Sequence, residues 1–333
     1  MHSYNVKIFS YWGEQFWDEY LNVHKIEFEN SKGANNKLRK FRTVYRSLNK
    51  YNPDVVIAYL DSPAIIACFI RVIVGKQFKL IVSDRNTTQK LNISERVKFF
   101  MFRWADFIVP NSNTQEQFIS THYPHLANKT VAITNFVDTK AFYPRINKTV
   151  LRDKIQIVVA ARVAPQKNVL LFMKSIKKVI DQGFEVHVNW IGRANPVEYY
   201  AECVLLKESL KIEDSFTFLD HTSNILLEYQ KSDVFCLPSI YEGFPNVICE
   251  AMSCGLPILC SDICDNPSIV QDDVNGFLFD PYSIDKMADS IIEFIQLNFE
   301  DKIEMGVQSR NIALNSFSKE IFIKNYLQLI DDK

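Results

Sequence analysis

Short apolar runs alternate with stretches of three-to-four spacing along most of this 333-residue chain. The runs predict strands at 55–58, 79–82, 107–109 and 130–133, then at 155–160, 186–191, 216–219, 234–237 and 258–260. Each is a few β-branched or large apolar residues bounded by turn formers. The clearest helix puts Val169, Phe172, Met173, Ile176, Val179 and Ile180 on one stripe, with Lys174, Lys177 and Lys178 opposite and Gly183 just past its end. Strands separated by helices imply βαβ units and parallel sheets, an α/β fold. The alternation pauses at 138–149, around Tyr143-Pro144-Arg145. That pause predicts a first domain over 1–145, a second over 150–310, and a helix over 311–333 that packs back toward the first. Two such Rossmann-like domains would set the carboxyl ends of their strands facing a cleft, where ligands of open parallel sheets bind. No internal repeat or low-complexity segment interrupts the pattern.

Composition sharpens this in three ways. Hydrophobic residues make up 47% of the chain and charged ones 23%, which suffices to close two cores. The formal charge of −1 conceals opposite halves: residues 1–150 hold 21 Lys and Arg against 12 Asp and Glu, and the remainder holds 17 against 27. A basic half points to an anionic partner: a membrane surface, a phosphate-bearing substrate or nucleic acid. Nucleic acid is set aside, because no recognised binding motif accompanies the charge. The longest uncharged apolar run, near 65–70, falls far short of the ~20 residues of a membrane span. The first residues show no charged stretch followed by an apolar one, so the reading is cytoplasmic. Of seven Cys, five (Cys236, Cys249, Cys254, Cys260, Cys264) crowd one stretch without a C-x-x-C pair, the pattern of small buried residues. With nine Gly and no G-x-G-x-x-G, a nicotinamide site is excluded.

Two stretches carry candidate chemistry. The first is Pro238-Ser239-Ile240-Tyr241-Glu242-Gly243-Phe244-Pro245-Asn246-Val247-Ile248-Cys249-Glu250. It reads as a strand, a turn, and a helix with Pro245 in its first turn, where the missing N–H is not needed. Gly243 would let the backbone approach a ligand. The first-turn N–H groups of Asn246, Val247 and Ile248 would be open to phosphate or sugar oxygens. The second stretch runs from Val158 to Asn168: a strand ending in Arg162, then a tight loop bringing Lys167 to the mouth of the next helix. Two cations opposite a helix N-terminus suit a diphosphate. Read singly, each stretch also describes an ordinary strand–turn–helix with solvated charges.

Together the two stretches resemble the retaining GT-B glycosyltransferases of glycosyltransferase family 4, which carry an R-x4-K pair and an E-x7-E pair beginning E-G-F. Here these fall on Arg162/Lys167 and Glu242/Glu250. The flanking Asp233-Val234-Phe235-Cys236-Leu237-Pro238-Ser239 and Ala251-Met252-Ser253-Cys254-Gly255-Leu256-Pro257-Ile258 match as well. So do Asn275-Gly276-Phe277-Leu278 and, at the interdomain crossing, Ile133-Thr134-Asn135-Phe136-Val137-Asp138. The resemblance implies that 150–310 binds a nucleotide-diphosphate sugar and 1–145 a glycan or lipid-diphosphate-linked acceptor, in cell-surface polysaccharide biosynthesis. It implies that Arg162 and Lys167 neutralise the departing diphosphate, with the helix N-terminus at Asn246 and Val247 assisting. Glu250 would receive the ribose hydroxyls, and Glu242, with Gly243, Phe244, Pro245 and Asn246, would hold the donor sugar. Transfer would retain configuration and need no metal or other cofactor.

Departures from the family pattern qualify the first domain. Val6, Ile8 and Phe9 look like the family's second strand, so its first βα unit, roughly 35–45 residues, is expected to be missing. Where many relatives carry a His, this chain has Ile81-Val82-Ser83-Asp84-Arg85-Asn86, which resembles an S-E-R-N variant of polysaccharide-building members. Arg85 and Asn86 are therefore the acceptor-side candidates, and read alone they are a polar loop capping the next helix. His122 and His125 flank Pro124, a loop rather than a metal pair. Of the usual G-D-G only Gly192 is present, a candidate neighbour of the nucleotide. Two basic stretches, 37–50 with Leu38, Phe41, Tyr45 and Leu48 on one stripe, and 96–104, read as core-facing helices with solvated basic faces or as helices lying on anionic lipid. Peripheral attachment to the inner face of the plasma membrane would follow from the second reading. The competing functions are a catalytically silent GT-B binding protein and a nucleotide-sugar epimerase of the same fold.

Overall fold

Every strand pairing among the described residues is parallel, as the alternation of runs and helices requires. The structure, a computed structural model, describes residues 4–10, 21, 23, 25–30, 36–75, 77–86, 88, 91–145 and 154–332. The chain divides into two compact units, one of Met1–Pro110 with Phe118–Val131 and one of Asn111–Gln117 with Ala132–Lys333.

In the first unit β1 (Lys7–Ser10) pairs with β2 (Glu27–Asn30), and α1 (Lys37–Tyr51) follows. Asn36 caps α1, its side chain accepting the Arg39 N–H at 2.9 Å. A second sheet, of order β3-β4-β5, is built from β3 (Val55–Tyr59), α2 (Asp61–Val74), β4 (Lys79–Asp84), α3 (Ile93–Phe102) and β5 (Phe107–Pro110). β4 is central, and Leu80, Ile81 and Val82 are fully buried on its two faces. α4 (Asn113–His122) belongs to this unit only from Phe118 on, and a 3-10 turn (Pro124–Lys129) follows it.

The run at 130–133 is not a strand. Thr130 makes one bridge to Ile108, its hydroxyl turns back to Leu126 O at 2.9 Å, and at Ala132 the chain passes into the second unit. β2 was not anticipated, because its Glu-Phe-Glu-Asn has one apolar residue.

The second unit carries one six-stranded sheet of order β11-β10-β9-β6-β7-β8. Its elements are β6 (Ile155–Ala160), α5 (Val169–Asp181), β7 (Val186–Ile191), α6 (Val197–Leu210), β8 (Phe216–Leu219), α7 (Ile225–Lys231), β9 (Val234–Leu237), α8 (Asn246–Ser253), β10 (Ile258–Ser261), α9 (Asn266–Ile269) and β11 (Gly276–Phe279). Three helices finish it: α10 (Ile284–Gln296), α11 (Phe299–Ser316) and α12 (Lys319–Asp331). α12 follows a bridge between Ser318 and Val137 and lays Phe322 on Phe136, 5.0 Å between ring centroids. All seven cysteines are free; six are buried and Cys264 is half-buried.

β11 escaped the apolar-run reading because it is four residues long and opens on Gly276. That glycine is obligatory: a Cβ there would lie 1.8 Å from the Ile258 carbonyl oxygen on β10. Backbone of the neighbouring strand cannot yield as a flexible side chain would. Gly276→Ala is expected to destabilise the protein by about 3 kcal/mol or more in denaturant unfolding. A loss under ~1 kcal/mol would mean that β10 and β11 can part without cost.

Candidate active site

The sheet order of the second unit decides where its loops meet. Building starts at β6, runs outward through β7 and β8, then returns to place β9 on the other side of β6. At such a switch the connections after the two neighbouring strands diverge and leave a crevice beyond their carboxyl ends. The segments after β6 and β9 are the two stretches singled out from the sequence.

After β6, Arg162 is exposed, and Pro165–Lys167 forms a 3-10 turn. Asn168 takes the left-handed conformation at φ 61°, and its buried side chain donates to Pro281 O at 2.7 Å. Lys167 therefore ends a tight turn one residue before α5 begins. After β9, the chain enters the turn at Tyr241–Pro245 and then α8. Backbone and side-chain bonds sew the two loops together. Ile240 N–H donates to Gln166 O at 2.9 Å, and Gln166 Nε2 donates to Tyr241 O at 2.9 Å. Lys167 Nζ then forms an ion pair with Glu242 Oε1. Glu242 is 8% exposed, so this is a largely desolvated pair.

The remaining candidates occupy the wall built by α8. Pro245 precedes the helix instead of opening it, and Asn246 is its first residue. Asn246 N–H donates to Phe244 O at 3.1 Å and Ile248 N–H to Pro245 O at 3.0 Å. Of the three N–H groups expected to be open, those two are thus taken by the turn itself. Val247 N–H has no acceptor among the described residues. Phe244 is buried against Phe317, 5.6 Å between centroids, which makes it an anchor of the turn. Gly243 lies half-buried between Glu242 and this anchor. Arg310 of α11 holds the far end of α8, with Nη1 donating to Ser253 O at 2.6 Å and Phe142 O at 2.9 Å.

Glu250 projects from α8 to accept the Tyr229 hydroxyl at 3.0 Å. Burial pushes the Glu250 carboxyl above its ordinary range, and the Tyr229 bond partly offsets this. Gly192 follows β7, where a Cβ would lie 2.1 Å from Ala161 O. The same oxygen accepts Trp190 Nε1 at 2.9 Å. Gly192 thus seats the loop that carries Arg162.

Four contributors were not singled out from the sequence. Tyr229 and Gln166 lie 21 and 75 residues from Glu250 and Tyr241, and sheet order alone brings them there. Asn135 donates to Asn246 Oδ1 at 2.9 Å; its signal was the flanking motif of the crossing segment. Cys264 is half-buried, and burial pushes its thiol up.

In the first unit, Arg85 Nε donates to Ser83 Oγ at 2.7 Å, and its guanidinium lies 5.2 Å from the Tyr59 ring. Asn86 Nδ2 donates to Asp61 Oδ2 at 2.9 Å. Both follow the carboxyl end of β4. His122 is engaged locally, with Nδ1 at 2.9 Å from Phe118 O. His125 lies edge-on to Tyr123.

Comparison with known proteins places these features in a family. Residues 145–311, half of the chain, match the family described as Glycosyl transferases group 1. The chain is 26% identical over 307 residues to the UDP-Gal:alpha-D-GlcNAc-diphosphoundecaprenol alpha-1,3-galactosyltransferase of Escherichia coli, covering 84% of this chain and 76% of that one. A glycosyltransferase structure from Rickettsia africae ESF-5 superimposes with a TM-score of 0.83 at 16% identity, over 98% of this chain and 90% of that one. Anabaena HepE in complex with UDP gives a TM-score of 0.83 at 17% identity, over 97% and 91%.

The Glu250 carboxyl has a consequence for stability. Because its folded value is raised, the native state keeps this proton to higher pH than the unfolded chain does. Unfolding therefore releases a proton from the ordinary value of 4.5 up to the raised one, and this group's contribution falls as pH rises through that window. In chemical unfolding between about pH 4 and pH 7, Glu250→Gln should gain on the wild type as pH rises. A difference that stays constant would mean that Glu250 titrates normally.

Proposed function

The chain belongs to the glycosyl transferases group 1 family and is a retaining GT-B glycosyltransferase that takes sugar from a nucleotide sugar; we propose that it extends a lipid-diphosphate-linked glycan in cell-surface polysaccharide assembly. The observation that carries the site assignment is the desolvated Lys167–Glu242 pair at the β6/β9 switch, with the exposed Arg162 beside it in sequence. A uridine nucleotide is the donor class supported by the relatives, one named for UDP-Gal and one solved with UDP. The E. coli relative's name also supports an acceptor on a lipid diphosphate.

In this reading the second unit binds the donor and the first the acceptor, with Arg85 and Asn86 on the acceptor side. Arg162, Lys167 and the Val247 N–H face the diphosphate. Negative charge grows on the leaving phosphate as the glycosidic bond to it breaks, so fixed cations stabilise the transition state more than the ground state. An acceptor hydroxyl bonds to the anomeric carbon from the face that the phosphate leaves, and its proton passes to the departing phosphate oxygen. Configuration is retained without a metal ion. Glu250 accepts the ribose hydroxyls, and Glu242 with Gly243 to Asn246 grips the sugar. Among the described residues no helix is long and apolar enough to cross a membrane. Work on a lipid-borne acceptor then calls for peripheral attachment at the cytoplasmic face.

Incubation with a panel of nucleotide sugars tests the reading. Release of free nucleoside diphosphate supports transfer; an isomerised donor would instead mark an epimerase, and neither product a silent binding protein. Lys167→Ala is expected to lower turnover ~100-fold or more, with the fold intact by circular dichroism. Wild-type turnover in that variant would overturn the site. Excess EDTA should leave the rate unchanged, whereas a strict need for Mg²⁺ or Mn²⁺ would contradict the metal-free mechanism.

A further inference from the structure

α3 inverts the usual amphipathic arrangement. Its Lys98 is 2% exposed, whereas Ile93, Val97 and Phe100 are 82%, 51% and 52% exposed. Those three stand at i, i+4 and i+7, which is one face of a helix. The inversion has a visible cause. Lys98 Nζ turns inward to Glu95 at 2.6 Å, Asp84 at 3.5 Å and Asp61 at 3.7 Å. Glu95, the acid of this helix, is thereby drawn inward too and also accepts the Thr88 hydroxyl at 3.0 Å. What the helix exposes is apolar or cationic apart from Ser94, and carries no acid. Arg96 and Arg103 are both exposed. Beyond the helix end, Trp104 meets Phe100 edge-on at 5.3 Å, and the Arg103 guanidinium lies within 5.5 Å of both rings.

We propose that α3 is the face by which the protein docks on a bilayer carrying anionic headgroups, with Ile93, Val97 and Phe100 entering the headgroup–acyl boundary and Arg96 and Arg103 meeting the headgroups. The inference rests on the reading that the acceptor is lipid-borne. The occupant follows from complementarity of charge: an apolar stripe flanked by arginines, its carboxylate withdrawn, matches a surface that is apolar within and negative at its rim. The half-buried Trp104 is of the residue type that settles at that boundary. The sequence left two basic stretches open between core and lipid, and the structure separates them. α1 turns Phe41 onto Phe69 of α2, 5.5 Å between centroids, so part of its apolar stripe is taken up by a neighbouring helix. α3 buries Phe99 and Phe102 and still presents a second apolar stripe outward.

Co-sedimentation of the full chain with phosphatidylglycerol–phosphatidylethanolamine vesicles tests this, against phosphatidylcholine vesicles. The wild type should partition onto the anionic vesicles and be released by salt. The triple variant Ile93→Ser, Val97→Ser, Phe100→Ser should partition ~100-fold less, and Arg96→Ala or Arg103→Ala about fivefold less each. Phe100→Trp should bind as the wild type does. Wild-type partitioning in the triple variant, or none in the wild type, would overturn the proposal. So would a dimer that forms in place of vesicle binding and is abolished by the triple variant. UDP binding by calorimetry is run alongside. Vesicle binding without UDP binding would count against the donor reading and leave the docking face standing, whereas UDP binding without vesicle binding does the reverse.

Discussion

Parallel strands cannot be joined by tight turns, so each strand of the second unit but the last is followed by a crossover, and the direction of each crossover is a topological choice. The reversal at β6/β9 is the choice on which the site depends. It sets two loops, 75 residues apart in sequence, close enough for Lys167 to pair with Glu242. A carboxylate and an ammonium at this burial hold one another in place. Removing either leaves the other desolvated and uncompensated, a loss of about 3–5 kcal/mol in comparable pairs. The surrounding bonds from Ile240 and Gln166 are neutral and weaker, but they fix the register in which the pair meets. Charge and geometry are thus supplied by different residues: the pair brings the charge, and the neutral bonds hold the two loops in register.

The sheet of the second unit was legible because its inner strands are buried on both faces. Val234–Leu237 and the run at 258–260 read as unbroken apolar runs and lie where the runs predict. Legibility failed wherever that condition lapsed. β2 alternates acid and apolar residues over four positions, and β11 trades a side chain for the glycine that its neighbour's carbonyl demands. The 130–133 run has the right composition but no strand to continue beside, since the chain leaves β5 after one bridge. Apolar character predicts burial. Only partners predict strand.

The site divides in the same way. Arg162, Lys167, Glu242 and Glu250 could be picked out because their spacing resembles a family's motif, yet spacing did not say which pairs touch. Tyr229 on Glu250, and Gln166 between the two loops, are products of sheet order. The first-turn N–H groups show the limit from the other side. Proline before a helix suggested three open donors, but the turn that proline enforces consumes two of them, leaving Val247. A local rule was applied correctly and was overridden by the local geometry it helped to create.

Charge patterning in the first unit needs a different argument. A stretch mixing arginines, lysines and aromatics carries no instruction about which residues turn inward, because its apolar residues fall on more than one helical face. On hydrophobicity alone Lys98 would be outside and Phe100 inside. Three carboxylates reverse this. Asp84 is fully buried at the end of β4, and Asp61 opens α2, so both are positioned by elements other than α3. Burying those acids without a cation would cost more than exposing a phenylalanine. Lys98 can enter because its long stem reaches all three acids, and Phe100 is then carried outward by the turn of the helix. The exposed aromatic face is therefore a consequence of solvating the carboxylates at the strand ends, not a defect in the packing of α3.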